Sequence, residues 1–235
     1  MSDNKHTAAV LELLASRICH DIISPVGAIN NGIELMQELG PDGLDDGLEL
    51  VGYSAAQSAA KLSAFRLAYG TGGRDPHIKP EDVQKNFGEL IRAEGKISQA
   101  WDPYGKLGPD PLPLGYCKML MGTMMLAAES IPKGGYISVR PAGDNSSVII
   151  AEGEGAVVRD QVEDALNQNL SPDDLDPRLV HPYALSVIAD SYDFKISLKS
   201  QSEGRIEWLL ECPEVEELPA ENDENNIEES PSSDV

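Results

Sequence analysis

His20 and Asp21 stand side by side in the run RICHDIISPVGAINNG, residues 17–32, with Ser24, Pro25 and Gly27 close behind. A carboxylate next to an imidazole can accept a hydrogen bond from one ring nitrogen or raise the ring's basicity, leaving the other nitrogen as a nucleophile. The pair could also begin a metal site, but that needs a second ligand one helical turn away. His6, His77 and His181 are dispersed, and Cys19, Cys117 and Cys212 lack pair spacing, so neither a metal site nor a disulfide framework is expected. An exposed histidine on a helix is also a common surface residue, and spacing alone leaves these readings open.

The surrounding pattern fixes how the histidine is presented. From about residue 8 to 39, Leu11, Leu14, Ile18, Ile22, Pro25, Ile29, Ile33 and Met36 recur in steps of three or four, which predicts one buried stripe along a helix. His20 falls nine residues after Leu11 and therefore turns away from that stripe toward solvent. On its side of the helix Ser24 and Gly27 are small, and Ile23 is an apolar residue left outward. Clearance around an imidazole, with something apolar to dock on, suits group transfer between proteins. Phosphoryl transfer asks for little more than an in-line nucleophile here, since a partner can bring the metal.

Gly40-Pro41 ends this helix. A second stripe, Leu44, Leu48, Val51, Ala55, Ser58, Leu62, Phe65 and Tyr69, has heptad spacing, and GTGGRDPHIKP (70–80) closes the unit. Such a hairpin covers its own apolar faces only in part. Two copies forming a four-helix bundle would cover both, so a homodimer is expected, with packing on the rest of the chain as the alternative.

Residues 81–212 alternate helical and extended patterns. Helices are expected at 81–94, 113–131, 158–168 and 179–190, and strands at 136–142, 147–153, 194–200 and 205–212. The fold class is α+β: a helical hairpin over 1–75, then an α/β sandwich over 76–212 with helices on one face of a largely antiparallel sheet. Met119, Met121, Met124, Met125, Trp101 and Trp208 are expected mainly as packing residues. Residues 213–235, acidic and poor in apolar side chains, are expected as a disordered tail.

The net charge of −22 argues against binding nucleic acid or anionic membrane. Ten of the acidic residues lie in 211–235, so the remainder still carries −12. No signal-type segment opens the chain and no window is apolar enough to span a bilayer, which points to the cytoplasm.

The run His20-Asp21-x-x-Ser24-Pro25 resembles the H-box of dimeric sensor histidine kinases, in which the phosphorylated histidine precedes an acidic residue. The longer string CHDIISPVGAINNGIELM, in a hairpin followed by a small α/β domain, resembles more closely the ChpT family of alphaproteobacterial histidine phosphotransferases, over residues 8–212. That resemblance implies a phosphorelay intermediate of a two-component system. His20 would accept phosphoryl from the receiver domain of a CckA-like hybrid kinase and pass it to CtrA-like and CpdR-like response regulators of the cell cycle. Asp21 would assist, receivers would dock near Ile23, Ser24 and Gly27, and Mg²⁺ would come from the receiver.

Sensor kinases carry an ATP-binding domain after the hairpin, and this chain departs from its motifs. Leu126, with Gly122 one turn earlier, stands where that family uses Asn to coordinate Mg²⁺, and leucine offers no oxygen. In Ala151-Glu152-Gly153-Glu154-Gly155 an alanine replaces the Asp that receives the adenine amino group, and alanine accepts no hydrogen bond. No glycine-rich loop precedes residues 183–190. Glu152 and Glu154 would repel a triphosphate, and Gly153 and Gly155 are expected to serve a turn. A domain that keeps the ATPase fold without binding ATP is the expectation; an ATP-dependent histidine kinase and a noncatalytic receiver-binding adaptor are the rival readings.

Overall fold

The computed structural model describes residues 2–71, 75 and 77–214. Helix α1, Ser2–Leu39, runs unbroken through Pro25. It ends at Gly40, whose φ of 56° suits a residue without a side chain, and a 3₁₀ turn, Gly40–Gly43, hands the chain to α2, Leu44–Ala68. The two helices approach through small residues. A Cβ on Gly47 would lie 2.3 Å from Met36 Cγ and 2.8 Å from the Gly32 carbonyl oxygen, so a side chain there would force the pair apart.

That narrow seam corrects the stripe read from spacing. Gly32, Gly43, Gly47, Ser54 and Ser58 are buried, whereas Leu11, Ile33, Leu44, Leu48, Ala55 and Leu62 are exposed on this chain. Periodicity locates a helix face, but small residues let the backbones close up along a line beside the leucines and leave the leucines outside.

Helix α3, Pro80–Glu94, leads into strand β1, Ile97–Gln99, and a long loop to helix α4, Tyr116–Glu129. Strands β2, Gly135–Pro141, and β3, Ser146–Glu152, form a hairpin. Short helix α5, Val162–Leu166, a 3₁₀ turn at Pro172–Asp174 and helix α6, Val180–Asp190, precede β4, Lys195–Ser202, and β5, Arg205–Glu211. Strand order is β1-β2-β3-β5-β4, antiparallel except for β1 beside β2. Strand β1 is absent from the sequence reading because three residues are too few for an alternation to register. The helix expected at 158–168 shrinks to α5, flanked by Gln161 and Gln168 at positive φ.

Helix α4 packs across β2, β3 and β5. It is the centre of the core: Met119, Met121, Met124 and Leu126 are buried above Ile149 and Trp208, which pair across β3 and β5. Trp101 is only half-buried. Glycines 153 and 155 lie at a turn after β3, with the Gly153 N–H donating to the Gly204 carbonyl. The three cysteines are free, and burial pushes the Cys117 and Cys212 thiols up to about 12.

One core serves the whole described chain. Ala64, Phe65, Leu67 and Ala68 of α2 belong to the same buried cluster as α3, α4, α6 and the sheet, and Val10, Leu13, Ile18 and Ile22 of α1 pack on it. The boundary expected at 75/76 falls among residues 72–74 and 76, outside the described residues, as do residues 215–235 of the acidic tail. No helix among the described residues is long and apolar enough to cross a membrane.

Candidate functional site

His20 lies midway along α1 with its side chain 87% exposed. Its Nδ1 is 3.3 Å from Asp21 Oδ1, the hydrogen bond expected of the pair. Ile23 is 68% exposed, Ser24 is exposed, and a Cβ on Gly27 would meet nothing within 4 Å. The face around the imidazole is therefore open, as the spacing implied.

Pro25 has a second effect that the pattern did not reveal. Proline has no N–H to give the carbonyl four residues earlier, so the Asp21 carbonyl loses its helical partner. Lys61 of α2 takes that place, its Nζ donating to the Asp21 oxygen at 3.3 Å. The backbone that carries the His-Asp pair is thus tied to the second helix of the hairpin.

Arg17, one turn before Asp21, puts its Nε 4.0 Å from Asp21 Oδ2 and donates from Nη2 to Glu129 at the end of α4. Burial works against the Arg17 charge, but Glu129, with smaller contributions from Tyr69 and Asp21, leaves its pKa above the ordinary value. Arg17, His20 and Asp21 also line a groove of about 450 Å³ together with Arg159 and Arg178. Arg17, Asp21 and Arg159 also border a second cavity of about 290 Å³, with Lys61 and Glu129. Arg17 stood in the sequence at helical spacing from Asp21; Lys61, Glu129, Arg159 and Arg178 gave no local signal.

A buried contact holds α2 against the second half of the chain. His181 on α6 is fully buried, and its Nε2 lies 3.0 Å from the Gly122 carbonyl oxygen, which can only accept. Nε2 is therefore protonated, and the Tyr69 hydroxyl donates to Nδ1 at 2.5 Å. Burial raises the Tyr69 pKa. Where nucleotide motifs were sought, the side chains are packed: Leu126 is 1% exposed, Ala151 is 0% exposed, and a Cβ on Gly122 would lie 2.4 Å from Leu185 Cδ1. No group of His, Cys, Asp and Glu among the described residues could hold a metal ion.

Residues 80–204 match a family model described as the histidine phosphotransferase C-terminal domain. The protein phosphotransferase ChpT of Brucella abortus (strain 2308) is 35% identical over 196 residues, covering 81% of this chain and 90% of that protein. The chain belongs to the histidine phosphotransferase family. A solved structure of a bacterial phosphotransferase is also similar, with a TM-score of 0.70 and 31% identity over 86% of this chain and 95% of that one. This chain is accordingly a protein-histidine phosphotransferase, an enzyme of phosphorelay-type signalling. In this phosphotransferase the family model begins at α3, so the hairpin carrying His20 lies outside the matched segment.

Proposed function

We propose that His20 is the phospho-acceptor and Asp21 its assistant. The observation that carries this reading is the exposed imidazole whose Nδ1 faces Asp21, leaving Nε2 for the incoming group. The Nε2 lone pair attacks the phosphorus of a receiver's aspartyl phosphate. The P–N bond forms, the P–O bond to the aspartate breaks, and a carboxylate leaves. The ring keeps its Nδ1 proton and becomes cationic, and the Asp21 carboxylate stabilises that charge. Transfer onward reverses these steps on another receiver's aspartate. Receivers supply Mg²⁺ and dock on Ile23, Ser24 and Gly27.

The donor is the receiver of a CckA-like hybrid kinase and the acceptors are CtrA-like and CpdR-like regulators of the cell cycle, as the family resemblance suggests. The enzyme works in the cytoplasm. It uses no ATP of its own, a reading supported by the packing around Leu126 and Ala151. Incubated with radiolabelled ATP alone, the protein is expected to stay unlabelled, and with a catalytic amount of active hybrid kinase to gain acid-labile label. Label from ATP alone would make it a kinase. None in either mixture, with the hybrid kinase itself labelled, would make it an adaptor.

The exposed Leu44, Leu48, Ala55 and Leu62 keep the heptad spacing of a packing seam, and Ile33 is exposed on the other helix. A second copy covers them, giving a two-fold four-helix bundle. Light scattering is expected to give twice the chain mass of 25.3 kDa, and Leu48→Glu to halve the measured mass; a wild-type mass of one chain would sink the dimer.

A further inference from the structure

Glu129 closes α4, and its carboxylate accepts from Arg17 Nη2 across the junction between the hairpin and the second domain. Arg17 Nε stops 4.0 Å short of Asp21 Oδ2, and Asp21's other oxygen lies 3.3 Å from His20 Nδ1. These contacts form one line from the second domain to the imidazole. Side-chain exposure is 25% at Glu129, 20% at Arg17, 31% at Asp21 and 87% at His20, so the inner ion pair is shielded from water and the outer hydrogen bond is not. Charge pairs weaken as solvent reaches them, which makes the inner pair the dominant one.

Arg17 has two anions within reach and one guanidinium to offer. Asp21 is one turn along the same helix, a spacing at which Arg and Asp side chains meet readily. Arg17 meets Glu129 with Nη2 while its Nε stays at 4.0 Å from Asp21, the limit of an ion pair. We infer that Glu129 and Arg17 are positioning residues for the acceptor: Glu129 draws Arg17 off Asp21, leaving the Asp21 carboxylate to accept from His20 Nδ1–H. That hydrogen bond selects the tautomer in which Nε2 carries the lone pair. The second domain thereby acts on the acceptor through a side chain, without a nucleotide. The inference rests on His20 being the acceptor. Lys61, on the Asp21 carbonyl, Arg159, bordering both cavities, and Arg178, lining the groove with His20, are other charged groups facing the line.

The test uses the full chain labelled with ¹⁵N-histidine, the His20 signals being identified by their loss in His20→Ala. Nitrogen shifts report the tautomer, and labelling by phosphoramidate, a small donor that needs no receiver, reports reactivity. Wild type is expected to show mainly the Nδ1–H form. Glu129→Gln releases Arg17 onto Asp21, moves the population toward Nε2–H and slows labelling roughly two- to fivefold. Glu129→Asp, one methylene shorter, gives a smaller change of the same sign and covers the case in which Gln disturbs folding. Adding Arg17→Gln to Glu129→Gln removes the competitor and restores the wild-type tautomer, whereas mere damage to the junction would be worsened by it. In an Asp21→Asn background Glu129→Gln has no further effect. A Glu129→Gln protein with wild-type tautomer and rate, or a double variant that stays shifted, overturns the inference. Wild type that keeps the Nδ1–H form yet takes no label from phosphoramidate removes His20 as acceptor, and the inference with it.

Discussion

His20→Ala is expected to cut acid-labile label from an active hybrid kinase to background while the fold and the association state stay as they are. The imidazole is 87% exposed and, among the described residues, its hydrogen bond is the 3.3 Å contact to Asp21, so little packing is lost with it. A surface truncation of this kind changes stability by no more than about 0.5 kcal/mol, or a melting shift below roughly 2 °C for a chain this size. The chemistry, by contrast, has no substitute. Alanine offers no lone pair, and the His181 imidazole is fully buried with both nitrogens engaged. In the proposed transfer, Asp21→Asn removes the carboxylate that would steady the cationic ring. It is expected to slow labelling about tenfold, equivalent to ~1.4 kcal/mol in the barrier, the lower end for a charged hydrogen bond because the site is wet. A His20→Ala protein that still takes up label would place the acceptor elsewhere.

Acid is expected to weaken the fold through His181. Burial first, and the Arg17 charge in addition, lower the His181 pKa to about 4 against its ordinary 6.5, with Glu129 and the bond to Gly122 opposing. The unfolded chain therefore takes up a proton near pH 6.5 that the folded chain refuses until about pH 4. Between these values the unfolded state holds more protons, so stability falls as pH falls; above pH 6.5 the full stabilisation is present. The loss across the window amounts to about 3 kcal/mol at 1.36 kcal/mol per unit. A proton on Nδ1 would turn the Tyr69 hydroxyl from donor to acceptor. Because Tyr69 ends α2 while His181 and Gly122 belong to α6 and α4, the weakening is centred where the hairpin packs on α4 and α6. Urea unfolding at about pH 7 and about pH 5 measures it, and His181→Gln should flatten the dependence. A wild type and a variant with the same slope would exclude His181 as the cause.

Much of this protein was written locally. The three-and-four spacing from residue 8 to 39, Gly40-Pro41 and the second heptad stripe specified a hairpin, because helix periodicity and chain breaks are properties of neighbouring residues. The same periodicity turned His20, Ile23 and Ser24 outward, where they are found. His20 next to Asp21 needed no tertiary information either, since adjacent side chains on a helix carry their relation with them. The α/β alternation after residue 80 likewise announced the order of most of the later elements.

Which apolar side chains the hairpin buries was decided only by the packing. Gly32 and Gly47 draw the helices together along one line, and Leu44, Leu48 and Leu62 fall outside it although their spacing is faultless. Spacing assigns a face to a residue but not a neighbour to that face. The environment of the His-Asp pair is tertiary for the same reason. Lys61 reaches the carbonyl that Pro25 frees from 40 residues away, and Glu129 reaches Arg17 across 112. Contacts at such separations exist only once α2 is packed against α1 and the end of α4 is brought to Arg17, and no short-range pattern encodes which charges that packing will bring together.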